Sequence, residues 1–353
     1  MKKVAIVCNY ILKPDRIGGM DRFFKLFDEQ LKKKGYIVDW FFTDYTAFDF
    51  YKELTIYSAN NTSVEKKFIE VVSHHSYDVV ITHFTELCTK FYKNIYLHNP
   101  DSYVISVDHN PRPLDGFSLK KRIKKRLEGV LYSKFIHQFI GVSQYTVNHI
   151  LNDYGQFLKK KTKVVYNGID TDVFVKRTQE NKNKFIVASH LRPSKGIQDL
   201  LKALSYMNPE LLEDVVVDIY GEGASKEELE RLTKEYKLQK VITLKGSSSK
   251  LNELFCNYRY MIQPTYMECF SLSILESLSA NIPVITTTVG GNLEVVENNK
   301  NGYIYNPGDC KALAAILENI ITGENNITEN TSDLIVQEFH LTKMVTNHIN
   351  LLP

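Results

Sequence analysis

The chain has 353 residues, of which 43% are hydrophobic, 12% aromatic and 24% charged. That composition excludes a disordered, collagen-like or coiled-coil chain, and the length exceeds what one hydrophobic core serves, so two domains of similar size are expected. Lysine and arginine number 44 against 41 acids, a net of +3. Six of those cations fall in Lys120-Lys121-Arg122-Ile123-Lys124-Lys125-Arg126, which leaves the rest of the chain at −3. A general nucleic-acid binder spreads its basicity more widely, so no nucleic-acid partner is expected.

The opening Met1-Lys2-Lys3 and the apolar Val4 to Cys8 begin like a signal peptide, but Asn9, Lys13 and Asp15 interrupt the run and no small-residue cleavage site follows. The segment reads as a first strand. No apolar run approaches the roughly 18 residues of a membrane-spanning helix. The cysteines Cys8, Cys88, Cys256, Cys269 and Cys310 are odd in number, scattered and without a CxxC pair. They argue against disulfides or structural zinc and for a reducing, cytoplasmic compartment.

In chain order, short β-branched runs alternate with amphipathic helical patterns, which predicts βαβ units around parallel sheets. The first set of strands is Val4 to Val7, Ile37 to Phe42, Val79 to Thr82, Val104 to Val107 and Phe139 to Val142. Phe23, Phe24, Phe27 and Leu31 mark a helix after the first strand; Val147, Ile150 and Leu151 mark one after the last. The second set is Phe185 to Ala188, Val215 to Tyr220, Val241 to Leu244, Tyr260 to Gln263 and Pro283 to Thr286. Between them, Asn167-Gly168 and the polar run Lys176 to Lys184 read as a hinge. The expected division is therefore 1–170, a hinge over 171–184, a second domain over 185–333, and a final helix from Leu334 to the end that packs back on the first domain. Two doubly wound domains would take a ligand at the carboxyl ends of their strands, in the cleft where they face each other.

The richest stretch for chemistry runs from Gln263 to Gly291. A strand ends at Gln263, a loop carries Glu268, and a helix beginning near Phe270 or Ser271 carries Glu276, eight positions after Glu268. Such a helix N-terminus offers free N–H groups and the positive end of a dipole, which suits a diphosphate. Glu276, nearly two turns inside on the face of Leu272, can accept from vicinal hydroxyls such as a ribose carries, and Glu268 can do the same for a second sugar.

Glu268 and Glu276 with their serine-containing apolar interior, then Asn281-Ile282-Pro283-Val284 and Gly290-Gly291, resemble the EX7E signature of retaining glycosyltransferases of family four, which have the GT-B fold. The resemblance runs along the whole chain. Gly18-Gly19 looks like the family's glycine pair, Val142-Ser143 like its strand end, and Val164-Val165-Tyr166-Asn167-Gly168-Ile169-Asp170 like the segment before its hinge. Arg192-Pro193-Ser194-Lys195-Gly196 is similar to its phosphate motif and Gly221-Glu222-Gly223 to the loop after the next strand.

The resemblance implies that Glu268 contacts the transferred sugar and Glu276 the nucleotide ribose, while the main chain of Cys269, Phe270, Ser271 and Leu272 reaches sugar and diphosphate. Where the family usually has glycines, Cys269 and Ser271 stand here, which bears on the hexose that fits. Lys195 matches the phosphate-binding lysine. His190 occupies the position of a common arginine, and Arg192, charged and bidentate, is the favoured phosphate ligand. Gly18 and Gly19 let main chain approach the donor in a loop that also holds Lys13 and Arg16. His109, after the strand Tyr103 to Val107, looks like the histidine beside the donor hexose, with Asp108 a second hydroxyl contact. The implied reaction is transfer of a hexose with retention, by front-face substitution, with Arg192, Lys195 and the helix N-terminus stabilising the leaving diphosphate. The nucleotide-sugar, UDP-linked by preference, is a substrate; no cofactor and no metal is expected.

Leu119, Ile123, Leu127, Val130 and Leu131 recur at helical spacing, so Lys120, Lys121, Arg122, Lys124, Lys125 and Arg126 border an amphipathic helix of the kind that docks on anionic membranes. The expected acceptor is a glycan or lipid-linked glycan of a bacterial surface polysaccharide, met at the inner face of the membrane. Rival readings are a nucleotide-sugar epimerase or phosphorylase of the same fold and a two-lobed binding protein without chemistry.

Overall fold

The computed structural model describes residues 1–14, 17–179 and 183–353. It divides into one unit of Met1–Gly168 with Leu341–Pro353 and a second of Ile169–His340.

In the first unit the strands are β1 (Lys3–Leu12), β2 (Ile37–Tyr45), β3 (Thr55–Ser58), β4 (Val79–His83), β5 (Tyr103–Asp108), β6 (Gln138–Gly141) and β7 (Thr162–Val164). They form a parallel sheet in the order β3-β2-β1-β4-β5-β6-β7. The second unit holds β8 (Lys184–Ala188), β9 (Val216–Tyr220), β10 (Ile242–Gly246), β11 (Tyr260–Gln263), β12 (Val284–Thr287) and β13 (Gly302–Tyr305), parallel in the order β10-β9-β8-β11-β12-β13. Each sheet thus reverses its winding once, between β1 and β4 and between β8 and β11, and a doubly wound sheet leaves a crevice at such a point. The expected fold class holds in both units. The short edge strands β3, β7 and β13 were not among the expected strands, because three or four residues carry too little alternation to stand out.

The predicted periodicity packs as anticipated. On the helix Gly19–Lys33, Phe23, Phe24, Phe27 and Leu31 are fully buried. Beneath it lies an aromatic layer in which Phe24 meets Trp40 at 5.3 Å and Trp40 stacks on Phe42 at 5.6 Å.

The segment boundaries differ from the sequence reading. Ile169 N–H donates to the Phe339 carbonyl at 2.9 Å and Ile169 pairs with His340, so the chain joins the second unit well before the polar run at 176–184. Val175 N–H to Asn252 O and Arg177 N–H to Ala280 O hold the approach to that run inside the same unit; residues 180–182 lie outside the described residues. The same pairing interrupts the expected final helix. It is two helices, Ser332–Glu338 in the second unit and Leu341–Ile349 in the first. The latter buries Met344, Val345 and His348, with the His348 ring 5.0 Å from that of Phe23.

Candidate donor site

In the second unit the two loops that leave the switch point carry Lys195 and Glu268. From β8 the chain runs extended through Arg192, makes a tight turn over Pro193–Lys195, and starts the helix Ile197–Tyr206 from Gly196 in the left-handed region, φ +67. A Cβ at Gly196 would stand 1.8 Å from the Pro264 carbonyl oxygen, so only glycine lets the two loops meet. Tyr266 N–H to Ser194 O at 2.9 Å completes the junction. Its result is a buried ion pair: Lys195 Nζ lies 2.7 Å from Glu268 Oε2, with 10% and 17% of the two side chains exposed.

Both partners are held from behind. Gly221 and Gly223 pass under the β8 loop where a Cβ would meet the Ser189 and Leu191 carbonyl oxygens at 1.8 and 2.2 Å, and Leu191 N–H donates to Glu222 O. Gly290, at φ +69, lies so near the Glu268 carbonyl oxygen that a Cβ would stand 2.2 Å away, and Gly291 N–H donates to Cys269 O at 2.8 Å. These glycines of the sequence motifs therefore shape the loop that presents Glu268.

The helix of the EX7E stretch is Leu272–Ser279, with Ser271 as its cap accepting from Ile274 N–H. It starts one or two residues later than expected because Ser271 is extended, φ −78 and ψ 115, and serves as the cap. Phe270 packs against Phe339 at 5.4 Å. The first-turn amides of Leu272 and Ser273 have no carbonyl partner within the helix. Leu272 and Glu276 are half-buried. Cys269 and Ser271, which replace the family's glycines, both bury their side chains, Ser271 Oγ accepting from Gln263 Nε2 at 2.6 Å. Gln263 also donates to Ser273 Oγ at 2.9 Å, and Asn292 Nδ2 donates to Thr286 Oγ1 at 3.1 Å. The sequence reading missed this polar floor. Its signal was a glutamine ending a strand that is otherwise apolar.

Arg192 and His190 are exposed on the β8 loop. Arg192 carries no ion pair among the described residues, leaving its fork available to an anion.

At the corresponding switch point of the first unit the central pair is two histidines. Gly18 caps the helix Gly19–Lys33 with ordinary backbone angles, φ −118, and donates to Asp21 Oδ2 at 2.8 Å. A Cβ there would meet only Asp21, at 3.7 Å, so packing within the unit does not require glycine. Lys13 lies before this cap; Arg16 lies outside the described residues. His109 is half-buried at the end of β5, stacked on Phe84 at 4.1 Å, and its Nε2 lies 3.0 Å from His83 Nδ1. Burial pushes His109 down to about 3, outweighing the attraction of Asp108, and holds His83 well below its usual value. Both are neutral at neutral pH, so His109 acts as a hydrogen-bonding group rather than a cation. His83 was missed; its signal was a histidine at the end of the apolar strand next to that of His109.

Asp108 departs from its expected role as a hydroxyl contact. It is 1% exposed, Oδ2 accepts from Arg112 Nη2 at 2.8 Å and Oδ1 from Asn110 N–H at 3.0 Å, while Arg112 also donates to Asp153. Lys125 departs from its expected place among the membrane-facing cations. It is buried, donating to Tyr154 Oη at 2.8 Å and Glu86 Oε1 at 3.2 Å. Lys120, Lys121, Arg122, Lys124 and Arg126 are exposed, as are Leu119, Ile123, Leu127, Val130 and Leu131. A further group escaped the spacing analysis: ligand atoms of Asp170, Asp172 and His340 lie within 4.8 Å of one another, a set a cation could join.

Residues 168–333 match the model of the Glycosyl transferases group 1, and residues 17–173 that of Glycosyltransferase Family 4. The chain belongs to the group 1, family four glycosyltransferases. Along its whole length it superposes on HepE of Anabaena, crystallised with UDP and glucose, at a TM-score of 0.79 and 18% identity, covering 99% of that chain. This likeness gives the glycosyltransferase the two-lobed GT-B fold. Among curated relatives, N-acetyl-alpha-D-glucosaminyl L-malate synthase of Bacillus anthracis is 26% identical over 57% of this chain and 57% of its own. The GtfA subunit of a UDP-N-acetylglucosamine–peptide N-acetylglucosaminyltransferase of Streptococcus gordonii is 31% identical over 38% of this chain and 28% of its own. The glycosyltransferase thus spans about half or less of the curated relatives it matches. Among its described residues no helix is long and apolar enough to cross a membrane.

Proposed function

We propose that this glycosyltransferase moves a hexose, with retention, from a UDP-sugar to a glycan or lipid-linked glycan of a bacterial surface polysaccharide. One observation carries the reading: the Lys195–Glu268 pair, 2.7 Å apart at the switch point beside the helix N-terminus at Leu272. An ammonium, a carboxylate and free amides within one crevice match the parts of a nucleotide-sugar, namely phosphate, sugar hydroxyls and diphosphate oxygens. In this reading Lys195 turns from Glu268 to the β-phosphate, Arg192 closes on it from the loop, and Glu268 is freed to bind the hexose. Glu276 takes the ribose, and the main chain of Cys269 to Leu272 lies against sugar and diphosphate. The family resemblance assigns Gly18 and Gly19 of the first unit to the donor as well, and His109 to a hydroxyl contact. The leaving diphosphate oxygen takes the acceptor proton as the new bond forms, its charge met by Lys195, Arg192 and the helix N-terminus. With these cations in place the step needs no metal and no cofactor. UDP is favoured because the HepE structure holds it and the GtfA relative is named for a UDP-sugar.

The enzyme works, in this reading, on the cytoplasmic face of an anionic membrane. Support comes from the helix Leu119–Tyr132, whose apolar stripe is exposed and flanked by cations rather than packed on its own domain.

Incubation with UDP-, GDP- and ADP-sugars, scored for free nucleotide and for epimerised donor, tests the assignment. Release of UDP without epimerisation, and with transfer to added glycan, is the expected outcome. Loss of UDP-induced thermal stabilisation in Glu276→Ala is expected alongside it. An epimerised donor, or no stabilisation by any of the nucleotides, overturns it.

A further inference from the structure

Residues of the helix Leu119–Tyr132 step about 100° round its axis, which sorts the side chains into faces. One face is anchored: a Cβ at Gly129 would stand 2.1 Å from the Tyr154 carbonyl oxygen, and Lys125 is buried beside it. The opposite face is the stripe of Leu119, Ile123, Leu127, Val130 and Leu131, each between 54% and 70% exposed. Cations border the stripe on both sides, Arg126 and Arg122 on one and Lys124 with Lys121 beyond it on the other, while Lys120 falls between Leu127 and Leu131 within it.

The two borders are not equivalent. The lysine side holds a hollow of about 500 Å³ lined by Lys120, Lys121, Lys124 and Lys125 against the acids Glu86 and Glu128. Two of its lysines share one ring: Lys121 Nζ lies 4.2 Å and Lys125 Nζ 5.1 Å from the centre of Phe117. Ammonium groups four residues apart on a helix repel one another, and an anion between them relieves that repulsion. Glu86 reaches Lys125 from the loop after β4, whose ends Phe84 and Cys88 are both in the left-handed region, φ 58 and 54. Two such non-glycine residues in five cost energy that a functional loop commonly stores.

We propose that this hollow seats the phosphate headgroup of an anionic phospholipid while the apolar stripe enters the layer beneath the headgroups. The proposal rests on the membrane-docking part of the function above and deepens it. Lys121 and Lys124 close on the phosphate; Lys125, fixed on Tyr154, supplies charge from the floor. Arg122 and Arg126 contribute only to the general field.

Flotation with vesicles of phosphatidylcholine, alone or with phosphatidylglycerol, separates these roles. Two variants of equal charge are compared, Lys121→Gln/Lys124→Gln and Arg122→Gln/Arg126→Gln. A field alone treats them alike, at about fivefold in vesicle affinity per cation. The seat predicts that the lysine pair loses about tenfold more than the arginine pair. Equal losses overturn the seat and leave membrane docking standing. A wild-type protein that fails to float with phosphatidylglycerol overturns docking itself. Because Arg126 Nη2 donates to Asn152 O at 2.8 Å, a melt checks that each variant is folded. Should the arginine pair melt early, Lys121→Gln against Arg122→Gln carries the same comparison.

Discussion

The switch points of the two sheets share a topology and oppose each other in chemistry. Between β8 and β11 stands a charged pair, Lys195 with Glu268; between β1 and β4 and beyond it at β5 stand neutral histidines, His83 with His109. One winding pattern therefore yields a switch point with a charged pair in the second unit and one with neutral hydrogen-bonding rings in the first. The difference lies in burial. Lys195 and Glu268 offset one another's charge at 2.7 Å where they are largely enclosed, whereas burial holds the histidine pair, with no carboxylate between its rings, below the usual range.

The largest test of that contrast is Lys195→Ala. It removes the cation proposed for the phosphate and leaves Glu268 enclosed without its partner, so kcat/KM for donor turnover is expected to fall by about 10²–10³. His109→Asn, which keeps a hydrogen-bonding group, is expected to cost about tenfold or less. Equal losses would erase the distinction between the crevices. Steady-state release of UDP measures both.

Glycine substitutions sharpen it through stability. Gly196→Ala forces a Cβ against the Pro264 carbonyl at a left-handed position, an expected destabilisation of about 2–4 kcal/mol by denaturant unfolding. Gly18→Ala meets nothing nearer than 3.7 Å and is expected to change stability by less than about 0.5 kcal/mol. If Gly18 is there for the donor, that same variant raises the donor KM.

The histidines predict a pH dependence with a definite sign. Burial lowers His348 to about 4 and His109 to about 3, with His83 also depressed. Unfolded, each titrates near 6.5, so on acidification the unfolded chain takes up protons first. The stability from keeping them neutral is complete above about pH 6.5 and is lost as pH falls toward the folded values. The slope per histidine is at most about 1.4 kcal/mol per pH unit. Burial raises Asp21 and Asp28, which act in the opposite sense. The measurement is therefore a difference: between pH 6.5 and 5, His348→Asn is expected to flatten the stability curve of the wild type by one histidine's share. A parallel curve would place the titration elsewhere.

The smallest expected effect is that of chelation. If Lys195 and Arg192 suffice for the diphosphate, turnover in EDTA stays within about twofold of the untreated enzyme. A loss restored by Mg²⁺ would instead draw attention to Asp170, Asp172 and His340.

Much of this was legible in the chain. β-branched runs alternating with helical periodicity carried both sheets, because burial on two faces demands continuous apolar strands. The Arg192–Gly196 and Gln263–Gly291 motifs marked the loops at the β8/β11 switch point through their glycines, which are needed where backbones touch, as at Gly196 and Gly290. Edge strands, the exact unit boundary and the split of the last helix were not legible. They depend on the pairing of Ile169 with His340, residues far apart in sequence whose contact has no local signature.

By itself the sequence determined the class of fold, the order of the elements, and the cluster of six cations that makes the net charge of +3 a local property. Only the tertiary structure decided what individual charges do. Asp108 was claimed by Arg112, Lys125 by Tyr154 and Glu86, and His109 was neutralised beside His83. The physical reason is that charge and hydrogen-bonding state depend on distance and desolvation, which are set by residues that the chain brings together only on folding.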